Sequence, residues 1–88
     1  MRATASNYVV IYIKAGFCPK CKATLKRLDQ LGIKTVQKTV EVDDTITINL
    51  LKKHGVRQFP YVEVVDGAGQ LLDTWSDYRI DKIDSWFK

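Results

Sequence analysis

The sequence is poor in cysteine, with two in 88 residues, and it holds two prolines, one methionine and a single histidine. Cys18 and Cys21 would close too small a loop to restrain the unfolded chain, because the entropic gain from a cross-link grows with loop length. They make a poor structural staple. Stability in so short a chain must then come from apolar burial, for which a 45% hydrophobic content suffices. One histidine and no third cysteine leave a closed four-ligand zinc site short of nitrogen and sulfur donors. No run approaches the ~20 apolar residues that span a bilayer, so no membrane partner is expected. The stretch from Met1 to Asn7 is short and polar. It lacks an apolar segment followed by a small-residue cleavage site, so no secretory signal is expected. The chain is therefore expected in the cytoplasm, where a close cysteine pair is more often catalytic or metal-binding than structural.

Charge is modest too, at a formal +4. The basic residues are scattered, with a small concentration at Lys20, Lys22, Lys26 and Arg27. A nucleic-acid footprint would need a denser basic stripe with exposed aromatics, so no nucleic-acid partner is expected. The lysines read as the solvated face of a helix, with steering of acidic partners as the alternative. Repeats, low-complexity runs and linkers are lacking, and the length suits a single domain over 1–88 acting as a monomer.

What is present is an ordered alternation of strand and helix patterns. Tyr8 to Ile13 (YVVIYI) is a β-branched and aromatic run that predicts a strand buried on both faces. Ala15-Gly16-Phe17 follows as a loop. From Pro19 to Leu31 the pattern becomes helical, with Leu25, Leu28 and Leu31 recurring on one side. Pro19 suits the first helical position, where its missing N–H costs nothing, and Gly32 suits the C-terminal cap. Ile33 to Val42 predicts a second strand with Val36, Val40 and Val42 on one face. Asp43 or Asp44 can cap a second helix that Gly55 ends, with Ile46, Leu50 and His54 on one face. Tyr61 to Val65 and Gln70 to Thr74 predict a hairpin about the turn residues Asp66-Gly67-Ala68-Gly69. A last helix starts near Asp77, which reads as its cap, and packs through Ile80, Ile83, Trp86 and Phe87. The order β-α-β-α-β-β-α implies an α/β fold: a four-stranded mixed sheet with three helices on its two faces.

A strand, a short loop, Cys-x-x-Cys and then a helix form an informative context. It puts Cys18 at the helix start and Cys21 in the first turn, where free N–H groups and the positive end of the dipole favour a thiolate. Cys18 is the expected nucleophile and Cys21 the resolving thiol. Lys20 and Lys22 add positive charge, and Lys14 stands just before the loop. This chemistry needs no bound metal or organic cofactor. Half of a zinc site, an iron–sulfur cluster shared between two chains, and two unrelated structural thiols are the competing readings of the same pair. Pro60, read alone, is a trans residue at a strand start. Trp75 reads either as a core aromatic or as a partner-facing one. Arg79 reads as a surface charge or as part of a network holding the Trp75 segment.

Three places carry a family likeness: Ile13-Lys14 through Cys18-Pro19-Lys20-Cys21, then Gln58-Phe59-Pro60, then Trp75-Ser76-Asp77-Tyr78-Arg79. With them the chain resembles glutaredoxin-like redoxins of the thioredoxin superfamily, and most closely the NrdH-type redoxins that supply electrons to ribonucleotide reductase. The resemblance implies a thioredoxin-like fold, a thiol–disulfide oxidoreductase, and a cis Phe59–Pro60 bond packed against the cysteine pair. It also implies that the Phe59 backbone pairs with bound substrate, and that Lys14, Pro19, Lys20, Phe59, Pro60, Trp75, Ser76 and Asp77 line the substrate or partner site. Departures stand beside it. Glutaredoxins carry Tyr where this chain has Lys20, Thr-Val-Pro where it has Gln58-Phe59-Pro60, and Gly-Gly where it has Trp75-Ser76. The NrdH-type pattern has Gly and Pro where this chain has Asp77 and Ile80. Bulk at Trp75 and Ser76 is expected to crowd glutathione. The expected electron source is therefore NADPH through thioredoxin reductase, with glutathione as the alternative.

Overall fold

The structure is a computed structural model that describes residues 7–88; of the polar stretch from Met1 to Asn7, in which no secretory signal is expected, residues 1–6 lie outside the described residues. Seven elements follow in the expected order: β1 (Tyr8–Lys14), α1 (Pro19–Gln30), β2 (Thr35–Val40), α2 (Thr45–Lys53), β3 (Tyr61–Val65), β4 (Leu71–Ser76) and α3 (Ile80–Phe87). The strands form one sheet in the order β2-β1-β3-β4. β1 pairs parallel with β2 through the α1 crossover, and antiparallel with β3. The β3–β4 hairpin closes over Asp66, whose Oδ1 accepts the N–H groups of Ala68 at 2.9 Å and Gln70 at 2.8 Å.

The helix boundaries follow from their caps. Gly32, at φ 68°, and Ile33 donate their N–H groups back to the carbonyls of Asp29 and Leu28. Gly55, at φ 81°, and Val56 donate to Lys52 and Leu51 in the same way. Both ends are Schellman motifs, which need a left-handed residue and so favour glycine. At the other end of α2, Thr47 donates its N–H to Asp44 Oδ1 at 3.1 Å, and this hydrogen bond holds the Asp44 carboxyl below its usual range.

Helices α1 and α3 pack on one face of the sheet over Val9, Ile11, Leu28, Val62, Val64, Trp75 and Ile83. α2 covers the other face over a smaller cluster of Val40, Leu51 and Val56, flanked by Tyr12, Ile48, Phe59 and Tyr61. Four expectations are corrected here. β1 is fully buried on one face only, through Val9 and Ile11, because α2 is too short to cover the other. β2 is shorter than Ile33 to Val42. Ile33 completes the cap of α1, and Val42 lies beyond the strand, exposed. The Ile46–Leu50–His54 face of α2 points to solvent, and Ile48 and Leu51 make the contact with the sheet instead. β4 runs on to Ser76, so Trp75 and Ser76 are strand residues rather than a loop before the last helix.

Candidate active site

β1 ends at Lys14, where Ala15 donates its N–H to the Val40 carbonyl at 3.0 Å and keeps the chain against β2 for one more residue. Gly16, at φ 88°, then turns it back, and Phe17 leads into Cys18 with its ring 80% exposed. Cys18 is the N-cap of α1 and Pro19 its first residue. The Cys18 carbonyl accepts the N–H of Lys22 at 3.1 Å, and its Sγ accepts the N–H of Cys21 at 3.3 Å. The sulfur thus occupies the place of an N-cap oxygen, facing N–H groups with no partner inside the helix. Cys18 and Cys21 are joined by a disulfide, with Cα atoms 5.3 Å apart. Cys18 is 7% exposed and Cys21 2%, so an incoming sulfur meets Cys18 more readily. Buried Thr24 donates its hydroxyl to the Lys20 carbonyl at 2.8 Å, and Leu28 anchors the helix in the core.

The groove beside the disulfide has a volume of about 550 Å³ and is lined by Lys14, Phe17, Cys18, Pro19, Lys20, Arg57, Gln58 and Phe59. Five of the expected site residues are brought together there: Lys14, Cys18, Pro19, Lys20 and Phe59. Cys21 lies beneath them. Phe17, Arg57 and Gln58 are lining residues that were not among the expected site residues. Phe17 and Gln58 fall inside the segments that carry the family likeness, and Arg57 was signalled only by its adjacency to Gln58-Phe59-Pro60. The Phe59–Pro60 bond is cis. Pro60 itself is buried and does not line the groove; its carbonyl accepts the Asp77 N–H at 2.8 Å.

Two more expectations are corrected at the end of β4. Trp75 is a core residue at 6% exposure, packed in the larger cluster, with the Lys82 ammonium 5.5 Å from its ring centroid. Strand alternation turns its indole under the α1/α3 face, and Trp75 is not among the residues that line the groove beside the disulfide. Its Nε1 is buried without a hydrogen-bond partner. Ser76 is the last strand residue, half-buried opposite Tyr61. Asp77 does not cap the last helix. α3 begins at Ile80, its N-cap is Arg79, and no side chain caps it. Asp77 instead sits at φ 79°, accepts the Tyr78 N–H at 2.7 Å, and places Oδ1 2.9 Å from Lys20 Nζ. The hydrogen bonds from Lys20 and from the Tyr78 backbone hold its carboxyl below the usual range. Arg79 is a surface charge paired with Asp81 at 2.7 Å.

Among the described residues, no group of three His, Cys, Asp or Glu side chains could hold a metal ion. No helix there is long and apolar enough to cross a membrane. What the arrangement can do is thiol–disulfide exchange: a cysteine pair at a helix start, one sulfur outermost, beside an open groove.

The comparisons agree with this geometry. Over 89% of the chain and 92% of its counterpart, it is 25% identical to the glutaredoxin-like protein NrdH-redoxin from Escherichia coli, with a TM-score of 0.67; that protein is described by its thioredoxin-like activity profile. Thioredoxin f2 of Chlamydomonas reinhardtii shares the fold at 14% identity and a TM-score of 0.66, over 91% of this chain and 74% of its own. So does a thioredoxin f2 in complex with ferredoxin:thioredoxin reductase, at 12% identity and a TM-score of 0.65, over 94% and 76%. No curated protein matches the chain. The glutaredoxin family model matches residues 9–68, more than half of the sequence. With its thioredoxin-like sheet and its cysteine pair at the start of α1, the chain belongs to the glutaredoxin family.

Proposed function

We propose that the chain is a dithiol electron donor that reduces protein disulfides, with Cys18 attacking and Cys21 resolving. The observation that carries this reading is Cys18 at the N-cap of α1, its Sγ accepting the Cys21 N–H and lying outermost of the pair. In the reduced protein the Cys18 thiolate attacks one sulfur of a substrate disulfide. A Cys18–substrate bond forms, and the other substrate sulfur leaves as a thiolate that takes up a proton. Cys21 then loses its proton and attacks the Cys18 sulfur. The Cys18–Cys21 bond closes and the second substrate thiol is released. Two electrons pass from the cysteine pair to the substrate, and a reductant must restore them.

That reductant is thioredoxin reductase with NADPH, and ribonucleotide reductase is the first target to try. The E. coli relative, with its thioredoxin-like activity profile, supports this choice. Since Trp75 is buried, steric bulk no longer argues against glutathione. What stands at the end of β4 is the Asp77 carboxylate, which an anionic tripeptide would have to approach. A glutathione-dependent reading has an observation of its own in favour. Lys14 and Arg57 border the groove and form no ion pair among the described residues, so an anionic disulfide has cations to meet there. The test supplies NADPH and a model disulfide, with either thioredoxin reductase or glutathione plus glutathione reductase. NADPH oxidation with thioredoxin reductase is expected. Turnover with glutathione alone would contradict the choice of reductant.

A further inference from the structure

Asp77 is tied down at three points. Its backbone is left-handed, at φ 79°, where few residues other than Gly, Asn and Asp settle. Its N–H is bonded to the Pro60 carbonyl, and its carboxylate receives both the Tyr78 N–H and the Lys20 ammonium. The carboxylate is thus fixed in space, whereas Lys20 reaches it along a flexible four-carbon stem. Lys20 is the second residue of α1 and borders the same groove as Cys18. A lysine so placed has two anions to choose between once the disulfide is reduced: the Asp77 carboxylate and the Cys18 thiolate.

We infer that Asp77 is a positioning residue for the Cys18 thiolate: it holds the Lys20 ammonium off the sulfur and so keeps the cysteine pair strongly reducing. The inference rests on the reading of Cys18 and Cys21 as a working dithiol. Reduction of the pair consumes two electrons and two protons, supplied by a dithiol such as dithiothreitol, which closes to its own disulfide. A cation beside Cys18 favours the thiolate, stabilises the reduced form and makes the pair a weaker reductant. The charged groups around the groove are Lys14 at the end of β1, Lys20 on α1 and Arg57 after α2. Asp77 faces Lys20 and Arg79, and Arg79 is engaged by Asp81. Lys20 is the groove cation that another side chain neutralises among the described residues, and the Asp77 carboxyl, held below its usual range, is an anion throughout the pH range in which a thiol titrates.

Asp77→Asn drops the charge while keeping a residue that tolerates the left-handed backbone and an oxygen for the Tyr78 N–H. Two quantities are read on reduced protein. One is the thiolate absorbance of Cys18 against pH; the other is the equilibrium of the pair with a dithiothreitol redox buffer. The acidity constant of Cys18 should rise about threefold in Asp77→Asn, the size of one unit charge acting across roughly 7 Å of water-like surroundings. The variant should also stay reduced at more oxidising buffer ratios. Lys20→Met should move both quantities the other way. In the Lys20→Met background, Asp77→Asn should shift them less, because no ammonium is there to be released. An unchanged acidity in Asp77→Asn, or an equal shift with and without Lys20, would overturn the inference. A purely structural role for Asp77 would leave the titration in place. Reduction of insulin disulfides by the unaltered protein, measured alongside, tests the dithiol reading separately. Should it fail, the titration still reports on Asp77 and Lys20.

Discussion

On the α1/α3 face, Val9, Ile11, Leu28, Val62, Val64 and Ile83 are exposed by 1% or less, and Trp75 closes the cluster at 6%. On the α2 face the buried cluster is the smaller set Val40, Leu51 and Val56, while Ile46 and Leu50 of the covering helix stand 82% and 56% exposed. The groove straddles this difference. Its Cys18–Lys20 wall is the start of α1, seated on the deep cluster. There Arg27 clasps Asp84 of α3 through Nε at 3.0 Å and Nη2 at 2.9 Å, both to Oδ1. Its Arg57–Phe59 wall follows α2 and rests on the thin cluster. The sulfur proposed to attack is held by the firm side of the molecule, and the segment expected to meet substrate is held by the softer one. Local opening should therefore begin at α2, since elements with few buried contacts open first.

Core truncations should break this comparison most strongly. Ile83→Ala on the deep face should cost about 3 kcal/mol, and Leu51→Ala on the thin face about 2 kcal/mol, as urea unfolding would report. Ile46→Ser, on the solvent side of α2, should stay within about 0.5 kcal/mol. Leu51→Ala costing more than Ile83→Ala would mean that the two faces have been ranked wrongly. Leu51→Ala should also speed amide exchange in α2 and at Arg57 while leaving α1 protected.

A smaller effect is expected from acid. Asp73 on β4 accepts the Trp86 Nε1–H at 2.9 Å and pairs with Lys82 at 2.7 Å, which binds α3 to the hairpin on the deep face. Burial works to raise its carboxyl, but the hydrogen bonds from Lys82, Trp86 and the Thr74 N–H outweigh it, and the net direction is down. A carboxyl lowered on folding contributes stability above its unfolded value, near ~3.9, that is lost as pH falls through the folded value. Urea midpoints should therefore drop between pH 5 and pH 3. Asp73→Asn should be less stable at pH 5 and should show a shallower drop. Parallel acid limbs for the two proteins would remove Asp73 from the account.

The deep face was the more legible of the two in the sequence. YVVIYI announces a strand by its β-branched run and the Leu25–Leu28–Leu31 repeat a helix by its period, while Pro19, Gly32 and Gly55 mark helix ends by their backbone chemistry and Asp44 by its side-chain cap. α2 was legible as a helix but not in its orientation. Ile46, Ile48, Leu50 and Leu51 place apolar residues around much of so short a helix, and only the sheet beneath decides which of them are covered. Trp75 was ambiguous for a related reason: extending β4 by two residues turns a loop aromatic into a core one. Both cysteines were legible because the chemistry is local. The Lys20–Asp77 pair was not, since residues so far apart in the chain meet only through the Asp77 turn and its bond to the Pro60 carbonyl. Arg57 escaped notice because its adjacency to Gln58-Phe59-Pro60 was its one signal, and adjacency does not say which neighbouring side chains turn into the groove.

The most direct test of the central claim, that Cys18 attacks and Cys21 resolves, is mass spectrometry of single-cysteine variants mixed with a disulfide-bearing protein under non-reducing conditions. Cys21→Ser should accumulate a mixed disulfide at Cys18, because nothing remains to release the substrate. Cys18→Ser should accumulate none and should reduce nothing. An adduct on Cys21 in Cys18→Ser, with none in Cys21→Ser, would contradict the assignment and the helix-start argument beneath it.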